Sequence, residues 1–125
     1  MIAYTLVGTN DLAKSTAFYD ALLAEIGGKQ AVAVDRVTLY AGAGGTPFFG
    51  IAQPANGQPA SVGNGSMVSL GASSPEEVNR LHAKALELGA TDEGTPGPRT
   101  NQTLSFYAGY FRDPDGNKLN FFCMG

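Results

Sequence analysis

Phe106-Tyr107-Ala108-Gly109-Tyr110-Phe111-Arg112 runs into Asp113-Pro114-Asp115-Gly116-Asn117 and returns through Lys118-Leu119-Asn120-Phe121-Phe122. Two aromatic, β-prone runs flanking a cluster of turn formers predict an antiparallel hairpin. Pro fixes φ, the Asp and Asn side chains bond back to nearby backbone, and Gly takes up the positive φ that a bulged hairpin demands. If Tyr110 pairs with Asn120, alternation places Tyr110, Ala108 and Phe106 on one face with Asn120 and Phe122. Phe111, Leu119 and Phe121 then pack on the other face, beneath a helix.

Working back from the hairpin, the chain repeats itself. Ser66 to Ala72 reads as a strand, and Ser74-Pro75-Glu76-Glu77 as a helix start with a capping Ser and Pro at the first helical position. Val78, Leu81, Ala85 and Leu88 recur at helical spacing until Gly89. The first half holds the same unit. Ile2 to Gly8 is β-rich, Asn10 is expected to cap a helix with Asp11 in its first turn, and Phe18, Tyr19, Leu22, Leu23 and Ile26 form its apolar stripe before Gly27-Gly28. Tyr4 and Met67 stand 63 positions apart, as do Phe18 and Leu81, so two copies of one module are implied.

Each helix precedes three short strands. In the first module these are 30–35, 37–41 and 48–53; in the second, a weak strand at 91–93 and then 106–112 and 118–124. Residues 54–65 are rich in turn formers and read as the connector, which sets the first module at about 1–54 and the second at 66–125 within one domain. Residues 94–103, with Pro96, Pro98 and Arg99, read as a loop flanking a cavity. The expected class is α+β, as two βαβββ modules.

Composition excludes several functions. A chain of 125 residues, 43% hydrophobic and 15% charged, suits one folded domain. Its net charge of −3, with Lys and Arg scattered, offers no field for nucleic acid. No apolar run reaches the roughly 18 residues of a membrane span and no secretory leader is recognisable, so no membrane partner is expected and the cytoplasm is the default location. The one cysteine, Cys123, forms no intrachain disulfide and reads as an inert strand residue.

Titratable groups do not assemble into familiar chemistry. No two carboxylates are placed by sequence as a facing acid and base, and His82, the only histidine, sits mid-helix and reads as solvated or half-buried rather than as a metal ligand. A nucleophile elbow is lacking, and Gly42-Ala43-Gly44-Gly45 lacks the Lys and hydroxyl of a phosphate-binding loop.

Val7-Gly8-Thr9-Asn10-Asp11-Leu12, Phe18-Tyr19, the paired βαβββ order and the closing Asp-Pro-Asp-Gly-Asn hairpin together resemble the vicinal oxygen chelate superfamily, over nearly the whole length. That superfamily includes glyoxalase I, bleomycin-resistance proteins, fosfomycin-resistance enzymes and extradiol dioxygenases. The resemblance implies curved mixed sheets around a cleft with helices outside, the halves pairing within one chain or across a homodimer. It also implies metal-ligand positions on the first and last strand of each half, usually His and Glu. Carried onto this chain, these fall at Tyr4, Met67 and Asn120, with the fourth at Gly50. None suits a divalent cation, so no metal and no other cofactor is expected.

The expected cleft lining is aromatic and polar: Tyr4, Leu6, Phe48 and Gly50 from the first half, Met67, Ser69, Phe106, Tyr110, Asn120 and Phe122 from the second. Such a lining suits a planar or apolar small molecule oriented by a few hydrogen bonds, or it fills the space between two sheets. Arg99 either anchors an anionic ligand or faces solvent. The favoured expectation is metal-free binding of a small organic molecule in the manner of the bleomycin-resistance branch, with catalytic residues unknown. The rival is an enzyme: a lyase or isomerase of the lactoylglutathione lyase type, a dioxygenase-like protein, or a metal-free lyase using Tyr4 or Tyr110 as an acid. A purely dimerising domain with a filled cleft is the third reading.

Overall fold

The closing turn is built around Asp113. Its Oδ1 accepts from the backbone N–H groups of Asp115 and Asn117, both at 2.9 Å, and its Oδ2 accepts from the Asn117 side-chain amide at 3.0 Å. Gly116 has φ of 92°, which a Cβ would oppose. From this turn β7 (Ser105–Arg112) and β8 (Lys118–Met124) run back antiparallel, with Tyr110 opposite Asn120 and Phe111 opposite Leu119.

The computed structural model describes residues 1–124; the last residue of the expected second module, Gly125, lies outside the described residues. The chain divides into two compact units, one spanning Met1–Gly63 and one starting at Asn64. The first unit contains β1 (Tyr4–Gly8), α1 (Leu12–Ala24), β2 (Lys29–Val34), β3 (Val37–Gly42) and β4 (Gly45–Ala52). Its sheet order is β1-β4-β3-β2, with β1 parallel to β4 and the other pairs antiparallel. The second unit repeats the pattern with β5 (Val68–Gly71), α2 (Pro75–Glu87), β6 (Thr91–Thr100), β7 and β8. Its order is β5-β8-β7-β6, with β5 parallel to β8. Both helices have 13 residues and the sheets are mixed, giving the α+β fold of two βαβββ modules.

In each unit the helix covers one face of its own sheet. Phe18, Tyr19, Leu22 and Leu23 of α1 are buried, as are Tyr40, Phe49 and Ile51 of the sheet, and the Tyr19 and Phe49 rings lie 5.0 Å apart. Val78, Leu81 and Ala85 of α2 are buried with Phe111, Leu119, Phe121 and Cys123. Each large apolar side chain so placed contributes about 1.5–3 kcal/mol relative to exposure. The Tyr40 hydroxyl donates to Asp20 Oδ1 at 2.8 Å; burial first, then this carboxylate, pushes the phenol well above its ordinary pKa and keeps it protonated.

Three local expectations change. The cap of α1 is Asp11, whose Oδ1 accepts from Lys14 N–H at 3.0 Å. Asn10 instead exchanges two bonds with the Ala60 backbone, fastening the connector to the start of the helix. The stretch expected as a loop at 94–103 is largely strand: β6 runs for 10 residues, with register shifts between Asp92 and Gly94 and between Gly94 and Gly97. It tolerates Pro96 and Pro98 because it is an edge strand, where a missing N–H leaves no partner unpaired. Arg99 is therefore a strand residue, opposite Phe106. Met67 lies one residue before β5.

Candidate functional site

The sheet face turned away from α2 is set by the hairpin register. Ser69 pairs with Asn120 and Asn120 with Tyr110, so their side chains share a face, joined by Phe122 and Phe106, whose rings lie 5.1 Å apart. Asn120 is only 2% exposed, and its Oδ1 is buried without a hydrogen-bond partner. A buried acceptor in that state costs about 1–3 kcal/mol. Ser69 beside it is exposed.

Two cations flank the Tyr110 ring. The Arg99 guanidinium carbon lies 5.6 Å from the ring centroid and the Lys118 ammonium 5.5 Å. Arg99 is held by its donation to the Thr95 carbonyl at 2.8 Å. Arg112, on the same face of β7, pairs with Glu93 at 2.9 Å, and this contact holds the Glu93 carboxyl below its ordinary pKa. Lys118 was missed from the sequence, although its parity with Asn120 along β8 placed it on this face.

The remaining candidates form a separate group in the first unit. Tyr4 pairs with Phe48 and Leu6 with Gly50, on the face opposite α1. Tyr4 and Leu6 are 55% and 41% exposed, Phe48 is half-buried and Gly50 buried. A Cβ at Gly50 would meet the Thr38 carbonyl oxygen at 2.9 Å and Leu6 Cδ2 at 2.7 Å, and would also strike Leu39. Gly50→Ala is therefore expected to destabilise the chain by at least about 1 kcal/mol in urea unfolding, since backbone cannot step aside as a side-chain tip can. An unchanged midpoint would mean that β3 and β4 shift freely.

The superfamily's metal chemistry is tested by these same positions. A phenol, a thioether, a neutral amide and a glycine with no room for a side chain do not make the imidazole and carboxylate set that holds a catalytic divalent ion. Among the described residues no group of three or more His, Cys, Asp or Glu side chains is placed to hold a metal. The donor set does not fit the ion.

His82 is neither solvated nor half-buried. It is 4% exposed, and its Nε2 lies 3.0 Å from both Asp92 Oδ1 and the Tyr110 carbonyl oxygen. Both partners are acceptors, so Nε2 carries the hydrogen. It ties α2 to the strand whose next face carries the Tyr110 ring, and acts in packing. Asp92 is held below the usual carboxylate range, chiefly by the Gly94 N–H and further by Thr95 and His82. Its folded pKa being depressed, it stabilises the fold above its unfolded pKa, and this contribution fades as pH falls through the folded value. Asp92→Asn should thus lower stability at pH near 7 by more than at pH near 3; a gap that stays constant on acidification would rule this out.

A polar groove of about 400 Å³ lies elsewhere in the first unit, lined by Thr9, Asn10, Arg36, Gln53, Gln58 and Pro59 among others. None of the ligand-binding residues expected from the sequence borders it. Its single charged side chain, Arg36, donates to the Gln53 carbonyl at 3.1 Å and braces the start of the connector.

Two βαβββ units with their aromatic and amide-bearing sheet faces define a glyoxalase-like domain. The chain belongs to the Glyoxalase/Bleomycin resistance protein/Dioxygenase superfamily, whose sequence profile matches residues 1–121. Among solved structures it is similar to a glyoxalase/bleomycin resistance protein from Albidiferax ferrireducens T118, at 42% identity, 98% of each chain and TM-score 0.88. It is also similar to hypothetical protein SA1046 from S. aureus, at 26% identity over 98% of this chain and 91% of that one, with TM-score 0.73. A glyoxalase-related enzyme from Fulvimarina pelagi shares the fold at 19% identity, 98% and 86% coverage and TM-score 0.75. Among curated proteins none matches the chain. No helix among the described residues is long and apolar enough to cross a membrane.

Proposed function

We propose that this chain binds a small organic molecule on the aromatic and amide-bearing face of its second unit, without a catalytic metal. The observation that carries the reading is Asn120, a buried amide whose Oδ1 has no partner, set between Ser69 and Tyr110 with the Phe106–Phe122 pair alongside. Buried polar atoms are ordinarily satisfied, and an aromatic surface with one unspent acceptor suits a planar ligand oriented by a hydrogen bond. Tyr4, Leu6 and Phe48 offer a further apolar surface in the first unit. Binding of this kind needs affinity alone, as in the bleomycin-resistance branch of the superfamily.

A thermal-shift screen against aromatic metabolites and glycopeptide antibiotics tests this. The melting temperature should climb with ligand concentration, as linkage requires for any molecule that binds the folded state. Metal analysis of protein purified without chelator, followed by hemithioacetal turnover with added nickel or zinc, tests the enzymatic alternative. Near-stoichiometric metal together with turnover would replace sequestration by the lyase reading.

A further inference from the structure

We infer that the ligand of the second unit is an anion, an aromatic carboxylate carrying a hydrogen-bond donor on its ring. This rests on the proposed binding reading and names the chemical class of its ligand. The chain as a whole is acidic, with a net charge of −3, yet among the described residues this face gathers Arg99, Lys118 and Arg112 around one carboxylate, Glu93, which Arg112 engages directly and Lys118 at longer range. Among the described residues neither Arg99 nor Lys118 makes a salt bridge, and both stand within 6 Å of the same phenol ring. Arg99 donates to the Pro98 and Thr95 carbonyls, which position the guanidinium without neutralising it. Glu93 feels both Arg112 and Lys118, so three positive heads share one described carboxylate, and this excess beside one aromatic ring opposes a cationic ligand and favours a negative one, while the Phe106–Phe122 surface accepts a flat ring. The unpartnered Asn120 Oδ1 asks for a donor, so the ligand brings an O–H or N–H as well as its charge.

The test uses three probes that keep the ring and hydroxyl and vary the charge of the para substituent: para-hydroxybenzoate, para-hydroxybenzamide and para-hydroxybenzylamine. Each is titrated into the isotopically labelled full chain and followed by two-dimensional amide NMR at low salt. The benzoate should bind about tenfold tighter than the benzamide, as a charge-assisted contact does over a neutral one, and the benzylamine weakest. Shifts should centre on Tyr110 and the Asn120 side-chain amide. Lys118→Met and Arg99→Met should each erase most of the preference, and Lys29→Met, the same charge change on an exposed residue of the first unit, should leave it intact. Equal or tighter binding of the neutral or cationic probe at this face would overturn the anionic assignment while the binding reading stands. Absence of shifts at this face with all three probes would overturn both.

Discussion

Phe111→Ala is expected to lower the unfolding free energy by about 3–5 kcal/mol, the range for emptying a core aromatic site. Phe111 is fully buried, stacks on Phe121 with ring centroids 5.5 Å apart, and lies on the strand that α2 packs against most extensively. A cavity there has rigid walls, because β7 is bonded to a neighbour on each side and cannot collapse inward. Against a typical total stability of about 5–15 kcal/mol, the loss leaves the chain close to half-unfolded under mild denaturant. Urea unfolding followed by circular dichroism should show a midpoint lower by on the order of 2 M. A loss below about 1 kcal/mol would mean that α2 does not rest on this ring. Tyr110 and Phe111 are adjacent on β7, so the variant should also bind ligand more weakly, by disordering the strand rather than by removing a contact.

Asn120→Leu should move stability and binding in opposite directions. The substitution removes a buried acceptor that has no partner in the unliganded chain, and fills the place with apolar atoms. The folded state should gain about 1–3 kcal/mol, the desolvation cost no longer borne. Ligand affinity should fall, because the hydrogen bond that the free protein leaves unmade is the one proposed to orient the guest. Chemical denaturation and a para-hydroxybenzoate titration on the same sample separate the two effects. If the variant proves less stable than the parent, Asn120 has a bond in the free protein and the orientation role fails. Functional positions commonly hold such local costs, which is why stabilising changes there tend to reduce activity.

Most of the architecture could be read from local patterns. The hairpin register follows from alternation around a turn whose chemistry is unambiguous, and Tyr110 does stand opposite Asn120. The helices follow from apolar spacing, and Ser74 caps α2 as its position suggests, accepting from Glu77 N–H at 3.1 Å. What escaped depends on partners distant in sequence. Pro96 and Pro98 signal a loop to any short window, and only their place at a sheet edge makes them compatible with a strand. His82 looks like a surface helix residue until Asp92 and the Tyr110 carbonyl are brought to it. Asn10 and Asp11 are both good caps, and the choice is made by the Ala60 backbone, 50 residues away, which claims Asn10. The face around Asn120 was legible as a set of side chains, and Lys118 could have been added by its parity with Asn120; that Arg99 and Lys118 converge on the Tyr110 ring depends on the pairing of β6, β7 and β8.

The prolines of β6 have a consequence for how this chain meets copies of itself. An outermost strand is a ready template on which a neighbouring chain can extend a sheet, and that growth needs amide hydrogens along the rim. Pro96 and Pro98 withhold two of them within three residues, so strand-by-strand addition on this rim is interrupted. The opposite unit's β2, which is also outermost in its sheet, has no proline and ends in Val34 at 58% exposure. β2 is therefore a rim on which such addition is not interrupted in this way, and a proline introduced there should slow aggregation under stress.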